Sequence, residues 1–205
     1  MDIILTEEHI SRKLKKTYQP GLIASMDGFA ELYESVTFQC AAVLTPLVWW
    51  NDEWQFVFTR RTETVEHHKG QVSFPGGVCE MGESTPEATA LREAKEEIGL
   101  APEDVRLLGR MNDIITITGY RVTPIVGVIP WPYQFHPEPA EVGRVFTISL
   151  LWLADPANWD ERPVTPEGVF RPFPVIRYHS YDGEILWGAS ARITQDLLKT
   201  VMGKE

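Results

Sequence analysis

The run Arg92-Glu93-Ala94-Lys95-Glu96-Glu97 lies in a stretch, Gly70 to Leu100, that also carries Pro75-Gly76-Gly77 and Glu83. Carboxylates are hard oxygen donors, and Mg²⁺ and Mn²⁺ collect such oxygens octahedrally while keeping positions for water and phosphate. On a helix turning by roughly 100° per residue, Glu93, Glu96 and Glu97 share an arc about 100° wide, with Leu91, Ala94 and Ile98 opposite. Glu93 and Glu97 form a like-charged i, i+4 pair that costs about 0.2–0.5 kcal/mol in an isolated helix. A divalent cation turns that cost into binding energy. A carbonyl at Gly76 or Gly77, in a turn where glycine allows close approach, adds an oxygen for the same cation. The chemistry expected is a metal–pyrophosphate site; for an isolated Glu-x-x-Glu-Glu run, the alternative is a solvated acidic face.

The elements that must position these groups follow from local signals. Ser84 or Thr85 caps a helix over residues 86–98, with Pro86 in its first turn, Glu87 in a capping-box position if Ser84 is the cap, and Gly99 as its stop. Gly70 to Phe74 reads as a short strand closed by the Pro75-Gly76-Gly77 turn. Upstream, Val36 to Trp49 and Gln55 to Thr59 are β-branched and aromatic around the turn signal Asn51-Asp52-Glu53, which predicts two antiparallel strands with Arg60 and Arg61 at the end of the second. Guanidinium groups there suit a phosphate if one is near, and a solvated strand end if not. His67 and His68 read as a solvated loop.

Further strands are expected over Val105 to Leu108, Ile114 to Ile117 and Tyr120 to Ile129. A proline-stiffened loop, His136 to Glu141, follows. Asp155 to Pro174 reads as loop, then a hairpin turns at Asp182-Gly183, and Ala189 to Met202 forms an amphipathic helix. Thr6 caps a first helix with acids at its start and bases at its end. The expected organisation is an N-terminal helical arm over residues 1–36 and one domain over residues 37–205.

A chain of 205 residues in one domain can bury roughly 70% of its unfolded surface. A formal charge of −10 argues against a surface that tracks nucleic acid, and leaves room for a small anion only where metal or arginine neutralises it. Cys40 and Cys79 make neither a zinc set nor a disulfide framework and are expected as free thiols. No membrane span or basic leader is legible, so the expected location is the cytoplasm.

The pattern of Gly77, Glu83, Arg92-Glu93, Glu96-Glu97 and Gly99 resembles the signature of the Nudix hydrolases, with one residue more than usual between Glu83 and Arg92. That extra residue, with Val57-Phe58-Thr59-Arg60-Arg61-Thr62, Gly70 and Phe74-Pro75-Gly76-Gly77 upstream and Trp187-Gly188-Ala189 downstream, is similar to the coenzyme A pyrophosphatase branch. The likeness departs at Glu66, where the upstream motif has a basic residue, and at Thr62 and Glu80, which replace Ser and Asp.

The resemblance implies an α/β/α sandwich, a mixed β-sheet between helices of the α/β (α+β) class. It implies Glu93, Glu96, Glu97 and the Gly76 carbonyl as ligands of Mg²⁺ or Mn²⁺, and Arg92 paired with Glu83 to orient the carboxylates. A helix Glu or Glu141 is then the base, and Arg60, Arg61, Gly70 and Phe74 meet the substrate. The implied reaction is hydrolysis of coenzyme A or acyl-CoA to 3′,5′-ADP and phosphopantetheine, a small-molecule nucleotide substrate, by a chain that can form a homodimer. ADP-ribose or another nucleotide sugar is the alternative substrate. A non-catalytic nucleotide-binding regulator on the same fold is the alternative of another class, usually marked by a broken box, whereas this box is intact.

Overall fold

The structure is a computed structural model that describes residues 5–24, 37–63, 70–165 and 172–203. Val36, Glu66, His67 and His68 lie outside the described residues. Helix α1 (Glu7–Thr17) starts at the Thr6 side-chain cap, and Ile10 and Leu14 on one face of it are fully buried. Strand β1 (Ile23–Ala24) follows, then β2 (Gln39–Trp50) and β3 (Glu53–Arg61), joined by a tight turn in which Asn51 and Asp52 take positive φ. Short strands β4 (Val72–Ser73) and β5 (Gly76–Val78) lead into α2 (Pro86–Ile98). Strands β6 (Arg106–Arg110), β7 (Asp113–Ile115), β8 (Tyr120–Val128) and β9 (Val142–Ser149) come next. The chain then forms α3 (Leu150–Ala154), the ribbon of β10 (Trp159–Val164) and β11 (Phe173–Tyr178), and α4 (Gly188–Met202).

Strands β1 to β9 make one mixed sheet whose main path runs β1-β7-β8-β2-β3-β4, with β5 beside β2, β6 beside β8 and β9 beside β3. Its long central contact is parallel, β2 on β8 from Gln39↔Tyr120 to Leu47↔Val128. Alternation along the strands divides the core. Ala42, Leu44 and Val48 of β2 and Val57 of β3 pack with Ala90, Ala94 and Ile98 of α2, whereas Phe56, Phe58 and Leu47 pack on the other side with Ile10, Leu14, Ile193 and Leu197. Helices therefore cover both faces, as an α/β/α sandwich requires.

Of the two cap candidates, Thr85 caps α2 by accepting from Ala88 N, so Glu87 makes no capping box and pairs with Arg110 of β6. Three local expectations are corrected. Gly76 and Gly77 are strand, not turn, because their backbone finds a ladder partner along β2. Cys40 and Cys79 are not free thiols: they form a disulfide, since the β2–β5 register that pairs Ala41 with Val78 brings the flanking cysteines to a Cα–Cα distance of 5.4 Å. The region after Asp155 is partly β-ribbon, with β10 pairing β11 from Trp159↔Tyr178 to Val164↔Phe173.

Candidate active site

Helix α2 presents its groups differently from a simple two-sided wheel. Its buried residues are Thr89, Ala90, Ala94, Glu97 and Ile98, with Leu91 only partly covered. The packing arc is thus rotated toward Glu97, and the three carboxylates part company. Glu96 is 58% exposed, Glu93 is largely covered, and Glu97 is 5% exposed.

Glu97 is buried against β5. Its Oε2 accepts from the Gly76 backbone N–H at 3.2 Å, and its Oε1 lies 3.5 Å from Arg61 Nη1. In the β2–β5 ladder, Leu44 donates to Pro75 and Cys79 to Cys40, so antiparallel alternation turns both the N–H and the C=O of Gly76 away from β2, to the side where Glu97 lies. Glycine is needed at Gly76, where a Cβ would strike the backbone of Ala42 and Val43; a Cβ on Gly77 would meet the Glu93 carboxylate at 2.5 Å and push it aside. Burial pushes the Glu97 carboxyl up to about 8, the Gly76 N–H and Arg61 opposing the shift and Glu93 and Glu141 adding to it. Burial likewise raises Glu93, against Arg92.

Arg92 is the hub. It donates to Glu83 at 2.8 Å, to Glu96 at 2.8 Å and to the Val78 carbonyl at 3.0 Å, and it lies 2.9 Å from Glu93. Glu83 also accepts from the Thr89 hydroxyl at 2.6 Å and from Glu80 N at 2.8 Å. Arg92 and Thr89 together hold the Glu83 carboxyl down at about 2, so it remains ionised and fixed. Thr89 was not singled out from the sequence, although it stands one helical turn before Arg92 and Glu93 and a wheel drawn around Arg92 would have found it.

Glu141 reaches the site through the 136–141 loop. His136 N and Glu138 N donate to the carbonyls of Ile98 and Glu97, which the end of α2 leaves unpaired, at 2.9 Å each. Thr62 N donates to Glu141 O at 2.9 Å, and Arg61 Nη2 stands 3.9 Å from the Glu141 carboxylate. Arg61 therefore lies between Glu97 and Glu141, with its Nε buried and without a hydrogen-bond partner.

Three expected substrate contacts lie elsewhere. Phe74 is a core residue, 2% exposed and stacked on Phe58 with centroids 4.5 Å apart, so a ligand cannot reach it without breaking the aromatic cluster. Arg60 points to the opposite face of the sheet from Arg61, toward Glu63 and Glu184, where it lines a cleft with Gly70.

The sequence profile of the NUDIX domain matches residues 41–168. The chain belongs to the Nudix hydrolase family. NudL of Photorhabdus laumondii, an uncharacterized Nudix hydrolase, is 34% identical over 161 residues, covering 78% of this chain and 84% of the relative. NudL of Yersinia pestis, likewise an uncharacterized Nudix hydrolase, is 32% identical over 169 residues, covering 82% and 83%. Among solved structures, RenU, a Nudix hydrolase from M. smegmatis, superposes with a TM-score of 0.49 at 22% identity over 57% of this chain and 74% of its own.

Nudix hydrolases act on nucleoside diphosphate derivatives with divalent metal ions, and the residues here fit such an ion. Glu141 lies near enough to Glu93 and Glu97 to raise both carboxyls, Arg61 stands between Glu97 and Glu141, and the missing Cβ of Gly77 leaves room for the Glu93 carboxylate. Among the described residues no three His, Cys, Asp or Glu side chains converge as a ready-made metal cage. Arg61 sits between Glu97 and Glu141, and Arg92 lies against both Glu93 and Glu96. No helix among the described residues is long and apolar enough to cross a membrane.

Proposed function

We propose that this Nudix hydrolase cleaves the pyrophosphate of coenzyme A or acyl-CoA, with Mg²⁺ or Mn²⁺, to give 3′,5′-ADP and (acyl-)phosphopantetheine. The observation that carries the reading is the meeting of Arg61, from the upstream motif, with Glu97 of the helix and Glu141 of the later loop. The upstream motif and the extra residue between Glu83 and Arg92 are what this chain shares with the coenzyme A branch. We assign Glu93, Glu96, Glu97 and the Gly76 carbonyl to the metal. A divalent cation held there supplies charge neutralisation at the pyrophosphate oxygens and Lewis acidity at phosphorus.

The chain's own residues do the rest. Arg61, whose Nε lacks a partner, turns from Glu97 and Glu141 to the diphosphate in a fork of hydrogen bonds. The Glu97 oxygen it leaves would then be open to hold a divalent cation. Arg92 keeps Glu93 and Glu96 in register and is itself held by Glu83, which Thr89 anchors. Glu141, half-exposed at the rim, takes the proton from the attacking water on a carboxylate oxygen. Glu97 is too enclosed for that exchange and serves the cation.

The test is a screen of coenzyme A, acetyl-CoA, ADP-ribose, NADH, diadenosine polyphosphates and nucleoside triphosphates with Mg²⁺ and with Mn²⁺, with products identified by mass. Release of 3′,5′-ADP from coenzyme A at the highest kcat/KM is expected. Preference for ADP-ribose would overturn the coenzyme A reading, and binding without turnover on any of them would favour a regulator.

A further inference from the structure

The opposite side of β3 holds a second polar concavity that none of the helix carboxylates lines. It is a cleft of about 530 Å³ walled by Arg60, Gln71, Arg177, Glu184 and Trp187. An antiparallel bridge pairs Arg177 with Trp187, so both side chains stand on one face there, and Arg60 approaches from β3. Trp187 leaves 38% of its surface to solvent, so its indole can be reached from the cleft.

Glu184 is nearly buried in the wall. Its Oε1 accepts from Arg144 Nη1 at 3.1 Å, whereas Arg60 Nε stands 3.8 Å from Oε2, beyond hydrogen-bond range. Arg60 is otherwise tied to Glu63 at 3.0 Å, a surface pair of the kind worth little and easily exchanged. The cleft thus combines an indole face, two guanidinium groups and a carboxylate held in place from behind by Arg144. A nucleotide offers the matching parts: a flat ring, a phosphate, and ribose hydroxyls that donate to a carboxylate. The volume suits a ligand of that size. A bare inorganic anion uses only the arginines and is repelled by Glu184.

We propose that this cleft binds a phosphorylated nucleoside, its ring on Trp187, its phosphomonoester between Arg60 and Arg177, and a ribose hydroxyl on Glu184. The ligand is the nucleotide end of the substrate or a free nucleotide of the same chemistry; only the first rests on the coenzyme A reading above.

Calorimetric titration of the full chain with adenosine 3′-monophosphate, adenosine and inorganic phosphate tests the cleft directly. Adenosine 3′-monophosphate binds ~10-fold or more tighter than either fragment, and Trp187→Ala and Arg177→Ala each weaken it ~10-fold. Arg177→Lys, which keeps the charge and loses the fork, recovers part of the loss, and thermal melting of each variant separates these effects from misfolding. Phosphate binding as tightly as the nucleotide, or affinity indifferent to both alanine variants, overturns the proposal.

A kinetic arm separates the two sources. If the cleft holds the substrate's own nucleotide, the kcat/KM ratio of coenzyme A over dephospho-coenzyme A falls ~10-fold in Arg177→Ala. If coenzyme A is not cleaved while adenosine 3′-monophosphate still depends on Trp187 and Arg177, the substrate reading fails and the cleft stands as a free-nucleotide site. Cleavage of coenzyme A with neither that ratio nor nucleotide binding responding to the variants leaves the substrate reading intact and removes the cleft.

Discussion

Arg60 and Arg61 are adjacent in sequence and serve opposite faces of one strand. Arg61 stands among acids, 3.5 Å from buried Glu97 and 3.9 Å from Glu141. Arg60 lines a cleft with a second arginine, a tryptophan and Glu184. The same side chain does different physical work in each place. On the α2 face carboxylates are in excess, and the Arg61 guanidinium stands between two of them. On the other face, exposed aromatic surface and forked donors suit an organic anion. A strand's two-residue period is enough to send neighbouring arginines to opposite faces of the sheet.

The largest effect that would break this contrast is at Glu97. Glu97→Gln should lower Mg²⁺-dependent turnover of the best substrate by about 10³-fold, while Glu96→Gln, at an exposed position tied mainly to Arg92, costs about 10-fold. Equal losses in product-release assays would mean that burial does not rank the carboxylates. Next comes the arginine pair itself: Arg61→Ala should reduce kcat by about 10²-fold and Arg60→Ala should raise KM about 10-fold, read from full saturation curves. If both variants move the same parameter, the two faces do not divide reaction from recognition.

Smaller changes sharpen the picture on the α2 face. Thr89→Val removes the 2.6 Å bond to Glu83 and leaves that carboxylate short of a donor, which should cost about 1–3 kcal/mol in denaturant unfolding and loosen Arg92. The smallest effect is a pH slope. Burial raises the folded Glu97 carboxyl from 4.5 to about 8, so between those values the folded protein holds a proton that the unfolded chain has released. Metal-free stability should therefore fall as pH rises through that window, and Glu97→Gln should flatten the slope in thermal melts. A wild-type slope of the opposite sign would show that Glu97 is ionised in the metal-free fold.

Much of the α2 face was legible because its signals are local. The helix bounds Pro86 and Ile98 follow from a cap, a first-turn proline and a terminal glycine in the left-handed region, all close in the chain. The Arg92–Glu83 pair followed from the resemblance and stands at 2.8 Å. The failures share one cause, contact between residues far apart in sequence. Phe74 belongs to an aromatic stack with Phe56, Phe58 and, through Phe58, Phe146 that no local pattern announces. The Cys40–Cys79 bridge spans 39 positions and depends on β5 lying beside β2. The Arg60 cleft joins β3 to residues more than a hundred positions later.

Residue types and their spacing specify the inventory and its local frame. The sequence carries the carboxylates and arginine of the box, the glycines that allow backbone to approach them, and strand and helix periods that make a sandwich. The meeting of distant elements sets which carboxylate is buried, which face each arginine takes, and that Glu141 comes to Arg61 beside Glu97 through a loop satisfying the end of α2. The reason is physical: residue type and spacing specify which groups lie on one element, whereas desolvation and charge pairing depend on which elements meet.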